Sequence, residues 1–301
     1  MKYLKDILNE SLLNKPLLNK SLLNKSLLNK SLLNESLLDN EDELFDRNDK
    51  ILIELWINEN YKIYGTLKIH EDKHGFVVDS NYNVKVTNKD IKSLTNGMFR
   101  WGEIAGYFDC VKCTGLTSLK GAPKKCNSFH CSGCTKLTSL EGAPNECNGF
   151  SCSNCTGLTS LEGAPKKCDK LNCSRCIKLM SLKGAPSKCD WFDCSGCTEL
   201  RSLEGATRQV DDWFKCSGCT GLMTLKGAPN ECDWFDCTEC TELTSLEGAP
   251  NKCEDLYCSR CTELRTLEGA PKECDQIVCN NCPNLIITDN DRKKYKIITR
   301  I

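Results

Sequence analysis

The sequence predicts a mainly β protein: a solenoid of about nine 21-residue coils follows a small β N-terminal cap and a low-complexity N-terminal tract. Three observations lead to this fold class. Cysteine pairs spaced C-x-x-C recur every 21 residues with one step of 22, phenylalanine and leucine keep the same period, and seven coils carry Gly-Ala-Pro. A fixed period of this length is typical of coils that stack and share a core. The first cysteines of the pairs are Cys110, Cys131, Cys152, Cys173, Cys194, Cys216, Cys237, Cys258 and Cys279.

The first segment, residues 1–45, is a tract of five-residue repeats such as SLLNK. On an α-helix each repeat advances about 140° beyond a full turn, so the leucine pairs spread around the circumference. We predict a marginal helix from Pro16 to Leu38 that needs a partner to cover its leucines. Two alternatives are a pentapeptide β-helix and a tail expanded by repeat slippage, without a specific role.

Residues 46–104 form the predicted N-terminal cap, a small antiparallel β meander. The segments KILIELWINEN, YKIYGTLKIH and GFVVDSNYNVKV are rich in β-branched and aromatic residues, and turn-forming residues separate them. The predicted solenoid then covers residues 105–285, and residues 286–301 form a C-terminal cap.

Each coil of the solenoid follows the consensus C-x-x-F-x-C-S-x-C-T-x-L-T-S-L-E-G-A-P. Its spacing is that of L-x-x-L-x-L-x-x-N/C-x-x-L, with Cys126, Phe129, Cys131 and Cys134 at the first four marked positions and Leu137 following. This pattern resembles the leucine-rich repeat family, and L-T-S-L-E-G-A-P is similar to its short bacterial and phage members, with cysteine here at leucine and asparagine positions. The resemblance implies one short parallel strand per coil, centred on Phe-x-Cys, an extended return, and protein recognition as the activity.

Gly-Ala-Pro is predicted to form a corner of the coil, because glycine permits a tight turn and proline fixes an extended return. The 22-residue coil contains GATRQVDDWFKC, in which Thr207 replaces the proline and one extra residue lies near Asp211. This insertion predicts a local bulge in the ladder of strands.

The 25 cysteines allow two interpretations, a metal-binding array or a buried core. Successive C-x-x-C pairs are separated by 17 residues, which fits structural zinc sites. Neighbouring coils lie about 4.8 Å apart, so Cys131, Cys134, Cys152 and Cys155 could surround one ion.

Three comparisons within the sequence favour the core. The leading cysteine of the consensus is replaced by Val210 in one coil and by Ala105 in another, and neither side chain binds a metal. Nine pairs cannot be divided into four-cysteine sites without a remainder, and every cysteine keeps the period of the leucines. We therefore predict reduced, buried thiols and no cofactor, with zinc or another soft metal and cross-coil disulfides as alternatives. Packing alone does not explain why the C-x-x-C positions never lose a cysteine.

Three tryptophans give the candidate binding site. Trp191, Trp213 and Trp234 directly precede the inward phenylalanines of three successive coils, so they should point out of the sheet and stack one strand spacing apart. Exposed aromatic side chains rimmed by charge are typical of a recognition hot spot. The alternative is that they only stabilise the irregular coil by stacking. The charged residues that complete the predicted site are Asp190, Asp193, Asp212, Lys215, Asp233 and Asp236.

No catalytic constellation stands out, because the three histidines are scattered and neither a phosphate-binding loop nor a Ser–His–Asp pattern is visible. We expect a non-catalytic binding or scaffold protein that recognises a protein or peptide through its open sheet. The alternatives are a zinc–thiolate scaffold and a phage or cell-surface attachment module that binds glycans.

Charge and the N-terminal sequence restrict the partners and the compartment. With 40 basic and 41 acidic residues, no general attraction to nucleic acid is expected. The N-terminus carries charges every few residues, so we predict no signal peptide, no transmembrane segment and no membrane insertion. The expected location is the cytoplasm of a bacterial or phage-infected cell, where thiols stay reduced, or alternatively the virion.

Overall fold

The computed structural model describes residues 41–299, with side chains from residue 49 onward. The helix predicted from Pro16 to Leu38 lies outside the described residues. The chain divides into two compact units, residues 1–58 and 59–301, at a point inside the first helix, so that helix is described by itself. Within the described part, neither helix has the apolar length that crossing a bilayer requires.

The described chain contains two helices and fourteen strands. In chain order they are α1 Glu41–Asn60, β1 Tyr61–Ile63, β2 Leu67–Asp72, β3 Gly75–Ser80, β4 Val84–Val86, β5 Arg100–Asp109, β6 Lys125–His130, β7 Glu146–Ser151, β8 Lys167–Asn172, β9 Lys188–Asp193, β10 Gln209–Lys215, β11 Trp234–Asp236, β12 Lys252–Tyr257, β13 Glu273–Val278, α2 Asp289–Lys294 and β14 Lys296–Ile298.

A parallel ladder of eleven strands, β4 to β14, confirms the predicted solenoid fold. Equivalent residues of neighbouring coils lie opposite each other, as Phe129 does to Phe150. The ladder is longer than the nine predicted coils, because β4 extends it at one end and β14 at the other.

Alternation places the phenylalanine position of each strand inside. In β6, Phe129 is buried between the half-buried Ser128 and His130, as a two-residue period requires. Cys126 is also buried, three positions earlier, so strict alternation does not extend over the whole strand. The phenylalanines of neighbouring coils stack inside the coil with ring centroids 5.5 Å apart for Phe108 and Phe129. The core therefore consists of continuous columns of like side chains, one residue from each coil.

The C-x-x-C segments form tight turns that continue the ladder beyond the strands. In the turn that starts at Cys131, the N–H of Cys134 donates to the Cys131 carbonyl, and the intervening Gly133 has a φ of 74°. The freed N–H of Gly133 donates to the carbonyl of Ser153 in the next coil, over 2.8 Å. This turn thus has one hydrogen bond within itself and one to the next coil.

The second cysteine of each pair has a role that packing does not supply. The thiol of Cys134 donates to the carbonyl oxygen of Cys110 in the preceding coil, with 3.2 Å between Sγ and O, and Cys155 repeats this contact with Cys131. All eight coil-to-coil steps have it, the other donors being Cys176, Cys197, Cys219, Cys240, Cys261 and Cys282. This contact favours a small side chain with a polar hydrogen at the second position of each pair.

Gly-Ala-Pro forms the opposite corner, as predicted. Gly163 has a φ of +89°, and a Cβ at this position would lie 2.4 Å from the backbone nitrogen of Glu141 in the preceding coil. Both the left-handed conformation and the close approach therefore require glycine. In the irregular coil, Thr207 takes the place of proline and is fully buried.

The predicted N-terminal meander is partly wrong. Residues 50–60 belong to α1, not to a strand: Ile53, Ile57 and Asn60 are buried at helical spacing, while Glu54 and Asn58 are exposed. The remaining strands of the predicted meander pair only partly in the antiparallel direction. Strand β1 pairs antiparallel with β4, and β2 with β3, but β3 and β4 both run parallel to β5 and begin the solenoid ladder.

Register shifts occur where β3 pairs with β5, β5 with β6 and β9 with β10, and the last two bear on the sequence predictions. The predicted bulge in the 22-residue coil is confirmed, since pairing of β10 with β9 shifts between Val210 and Trp213. A second one, between Ile104 and Tyr107 of β5, shows that Ala105 was wrongly assigned to the leading cysteine position: Ile104 pairs with Cys126 and is buried. Isoleucine does not bind metals either, so this coil still indicates that the leading cysteines are not metal ligands.

The C-terminal cap consists of α2 and β14. Thr288 caps α2 by accepting a hydrogen bond from the N–H of Asp291, whose carboxylate accepts one from the N–H of Thr288. Strand β14 then pairs with β13, starting with Lys296 opposite Gln276.

Candidate binding face

The three tryptophans lie on the outer side of β9, β10 and β11, in register with one another. Their neighbours Phe192, Phe214 and Phe235 are fully buried, which confirms the predicted inward and outward alternation. The tryptophans themselves are half-buried, so part of each indole is covered and part is accessible. We call these tryptophans, with Asp190, Asp193, Asp212, Lys215, Asp233 and Asp236, the tryptophan–aspartate face.

Two of the three tryptophans stack. The rings of Trp213 and Trp234 lie 4.8 Å apart at an interplanar angle of 25°, and the Lys215 ammonium lies 4.5 Å from the centre of the Trp213 ring. The predicted stack of three is reduced to a pair: within the described residues, Trp191 lies in register with Trp213 but forms no ring contact with it.

The aspartates give this face an excess of negative charge. Asp190 is half-buried, and its burial raises the pKa of its carboxyl above the ordinary value, with Asp169, Asp211 and Asp212 adding repulsion. Asp211 binds the Lys188 ammonium at 2.8 Å. Five aspartates of the face stand against one lysine, so a positively charged ligand would relieve their repulsion.

Two of the aspartates also support the fold. One carboxylate oxygen of Asp193 accepts a hydrogen bond from the N–H of Ser195 over 2.8 Å, and Asp236 accepts one from Thr238 over 2.9 Å. Asn172 does the same for Ser174 in another coil. These two carboxylates therefore hold the C-x-x-C turns and keep a second oxygen for a ligand.

A polar groove of about 400 Å³ adjoins this face, and sequence reasoning missed it. Its floor lies at Gly196 and Gly218, which occupy the third position of two successive C-x-x-C turns. The long side chains of Arg175 and Glu239 occupy that position in the flanking coils and border the groove, and Asp193 links it to the face. In the sequence, the groove is indicated by glycine at the third C-x-x-C position in two successive coils, where most other coils have a longer residue. The remaining lining residues are Asn154, Ser174, Ser195 and Ser217.

The cysteines considered for zinc lie in the core. Cys131, Cys134, Cys152 and Cys155 are fully buried, and two of their thiols donate to backbone carbonyls as described above. Within the described residues, no group of three or more histidine, cysteine or acidic side chains converges as a metal site. The hydrogen bond with Cys155, together with burial, raises the pKa of Cys131 well above its ordinary value, which favours the neutral thiol.

Comparison with protein-family models and with curated proteins finds no match for this chain. The resemblance to leucine-rich repeats therefore stays a prediction.

Proposed function

We propose that this protein is a non-catalytic recognition module that binds a basic peptide segment of another protein on the tryptophan–aspartate face. The observation that carries the proposal is the ammonium of Lys215 over the ring of Trp213, next to the stacked ring of Trp234. Tryptophan is the aromatic side chain that holds cations most strongly, and the face already holds one from its own chain.

The charge of the face supports a cationic ligand. The carboxylates of Asp190, Asp212 and Asp233 flank the tryptophans, and the raised pKa of Asp190 reflects its partial burial and repulsion from neighbouring acids. Lysine or arginine side chains of a bound peptide would pair with these carboxylates and lie against the accessible indole surface. Electrostatic attraction of this kind raises the association rate and weakens with salt.

The resemblance to leucine-rich repeats supports protein recognition as the general activity, and the parallel sheet offers the surface for it. The zinc–thiolate scaffold receives no support from the buried, hydrogen-bonded thiols. A location inside a bacterial or phage-infected cell fits the abundance of free thiols, and is part of this proposal.

Binding to peptide libraries tests the proposal. We expect lysine- and arginine-containing peptides to bind, acidic and neutral peptides of equal length not to bind, and affinity to fall as salt rises. Replacing Trp191, Trp213 and Trp234 together with serine should weaken binding at least tenfold. Serine suits this position, because Ser128 occupies it in β6.

Gln276→Ser is the matched control, since it changes the same position in β13 and leaves the face intact. The melting temperature of each variant is measured beside its affinity. Unchanged binding by the folded triple variant would refute the proposal. Binding to a glycan array without binding to basic peptides would refute it in favour of glycan attachment.

A further inference from the structure

The leading cysteines form a column of sulfur atoms that the recognition function does not use. In this column Cys253 of β12 lies directly opposite Cys274 of β13. Their Sγ atoms are 3.7 Å apart, with the thiol of Cys253 donating to Cys274, and the thiol of Cys274 donates in turn to the carbonyl of Gln276 over 3.1 Å. Neighbouring parallel strands lie about 4.8 Å apart, which is within the Cα separation that a disulfide spans.

Cys274 differs from the other cysteines of its column in being accessible. Cys253 has 3 % of its surface exposed, whereas Cys274 is half-buried. The cause is the C-terminal cap: β12 and β13 pair from Lys252 and Glu273 onward, but β14 pairs with β13 only from Gln276 onward. No following strand therefore lies opposite Cys274, which leaves this residue partly exposed to solvent.

The hydrogen-bond arrangement makes Cys274 the better nucleophile of the pair. The bond from Cys253 lowers the pKa of Cys274 below its ordinary value, while the same bond raises the pKa of Cys253. The thiolate, and not the thiol, reacts with peroxides, so the accessible sulfur is also the one that ionises more readily.

We propose that Cys253 and Cys274 are a site of oxidative modification, at which a hydroperoxide produces a disulfide between β12 and β13. The Cys274 sulfur attacks the peroxide, the O–O bond breaks, and the products are a sulfenic acid on Cys274 and an alcohol or, from hydrogen peroxide, water. The Cys253 sulfur then attacks the Cys274 sulfur, the S–O bond breaks, and the hydroxide leaves as water with the Cys253 proton. Two thiols are oxidised by two electrons and one peroxide is reduced.

The chain contains a matched control for this reaction. Cys147 and Cys168 occupy the same column in β7 and β8, in the same register, and the thiol of Cys168 donates to Lys170 as Cys274 does to Gln276. Both are buried, at 7 % and 4 % exposure. The two pairs therefore share their register and the thiol–carbonyl contact, and they differ in access from solvent.

The test treats the folded full-length protein, freed of reductant, with one equivalent of hydrogen peroxide and maps the products by mass spectrometry. We expect a Cys253–Cys274 linked peptide to form at least tenfold faster than a Cys147–Cys168 one. In a Cys253→Val variant, the sulfenic acid on Cys274 should persist and be trapped by dimedone. Valine suits this column, because Val210 occupies it with 2 % exposure.

Equal linkage in both pairs would overturn the proposal, as would a Cys274 thiol that stays unmodified. If the Cys253→Val variant does not fold, dimedone added to the native protein during oxidation gives the same information. Dimedone should then label Cys274 and lower the yield of the Cys253–Cys274 disulfide. Label on other cysteines with none on Cys274 would refute the assigned order of steps.

Discussion

The buried thiols should make stability depend on pH above neutrality. Burial raises the pKa of Cys126, Cys189 and Cys232, three members of the leading column, from 9.0 to about 12. In the unfolded chain these thiols ionise near their ordinary pKa. A raised native pKa gives stability that is complete below the unfolded pKa and is lost as pH rises toward the native one. These three cysteines therefore destabilise the fold progressively between about pH 8.5 and 12.

The magnitude follows from linkage. At about pH 9.5, each thiol with an unfolded pKa of 9.0 and a native pKa of about 12 lowers the free energy of unfolding by about 0.8 kcal/mol relative to pH 7. The three together contribute about 2.5 kcal/mol. This is a large fraction of the stability of a typical domain, so the effect is measurable.

A variant in which valine replaces all three cysteines isolates their contribution. The position accepts valine, since Val210 fills it in the irregular coil. Urea unfolding of both proteins, with reductant present and followed by circular dichroism, is measured at pH 7 and pH 9.5. We expect the native protein to lose about 2.5 kcal/mol more than the variant between these pH values, whatever their difference at pH 7.

Equal losses in the two proteins would refute the reasoning that these thiols are neutral and buried.

Five further substitutions test the corners of the coil and the thiol ladder, each by urea unfolding at pH 7. Cys155→Ala removes the donor to the Cys131 carbonyl and should cost about 1–2 kcal/mol, whereas Cys155→Asp, a buried unpaired charge, should leave no cooperative transition. Both Gly163 and Gly218 have a positive φ, but only at Gly163 would an added Cβ clash with backbone, at 2.4 Å from the Glu141 nitrogen. Gly163→Ala should therefore cost about 2–3 kcal/mol, and its control Gly218→Ala, whose Cβ would make an ordinary contact at 3.8 Å, only about 1 kcal/mol; equal losses would contradict the role of close approach. Thr207→Pro should raise stability by about 0.4–1 kcal/mol, since seven coils hold proline at this corner, and a loss would show that the irregular coil turns differently.

Periodicity made the solenoid predictable, and local ambiguity limited the caps. A 21-residue repeat assigns each position an environment many times over, so the inward direction of Phe129 or Cys131 could be deduced by comparing coils. Residues 50–60 occur once, and their isoleucines fit a period of two as well as one of 3.6. The sequence therefore did not distinguish the strand that we predicted from α1. The bulge beside Ile104 was not predicted for the same reason: β5 occurs once, so no second copy reveals the register shift.

The candidate site was predictable only where it depends on alternation along a strand. The outward tryptophans follow from the period of two, but the partners of their rings depend on side-chain rotamers, which is why the predicted stack of three became a pair with Lys215. The groove at Gly196 and Gly218 and the accessibility of Cys274 depend on what neighbouring coils leave uncovered. Such features arise from differences between repeats, and a consensus removes those differences.

Trp191 distinguishes recognition from mere support of the irregular coil. Strand β11 has three residues where most of its neighbours have six, and β10 pairs with it through three positions only. Stacking of Trp213 on Trp234 spans this shortened pairing, so Trp213→Ser should lower stability by about 0.5–1.5 kcal/mol as well as weaken binding. Trp191 takes no part in the stack, so support of the bulge does not explain an aromatic there. If the face binds basic peptides, Trp191→Ser should weaken binding severalfold while the free energy of unfolding changes by less than about 0.5 kcal/mol. A large loss of stability with unchanged peptide affinity would instead assign all three tryptophans to the fold.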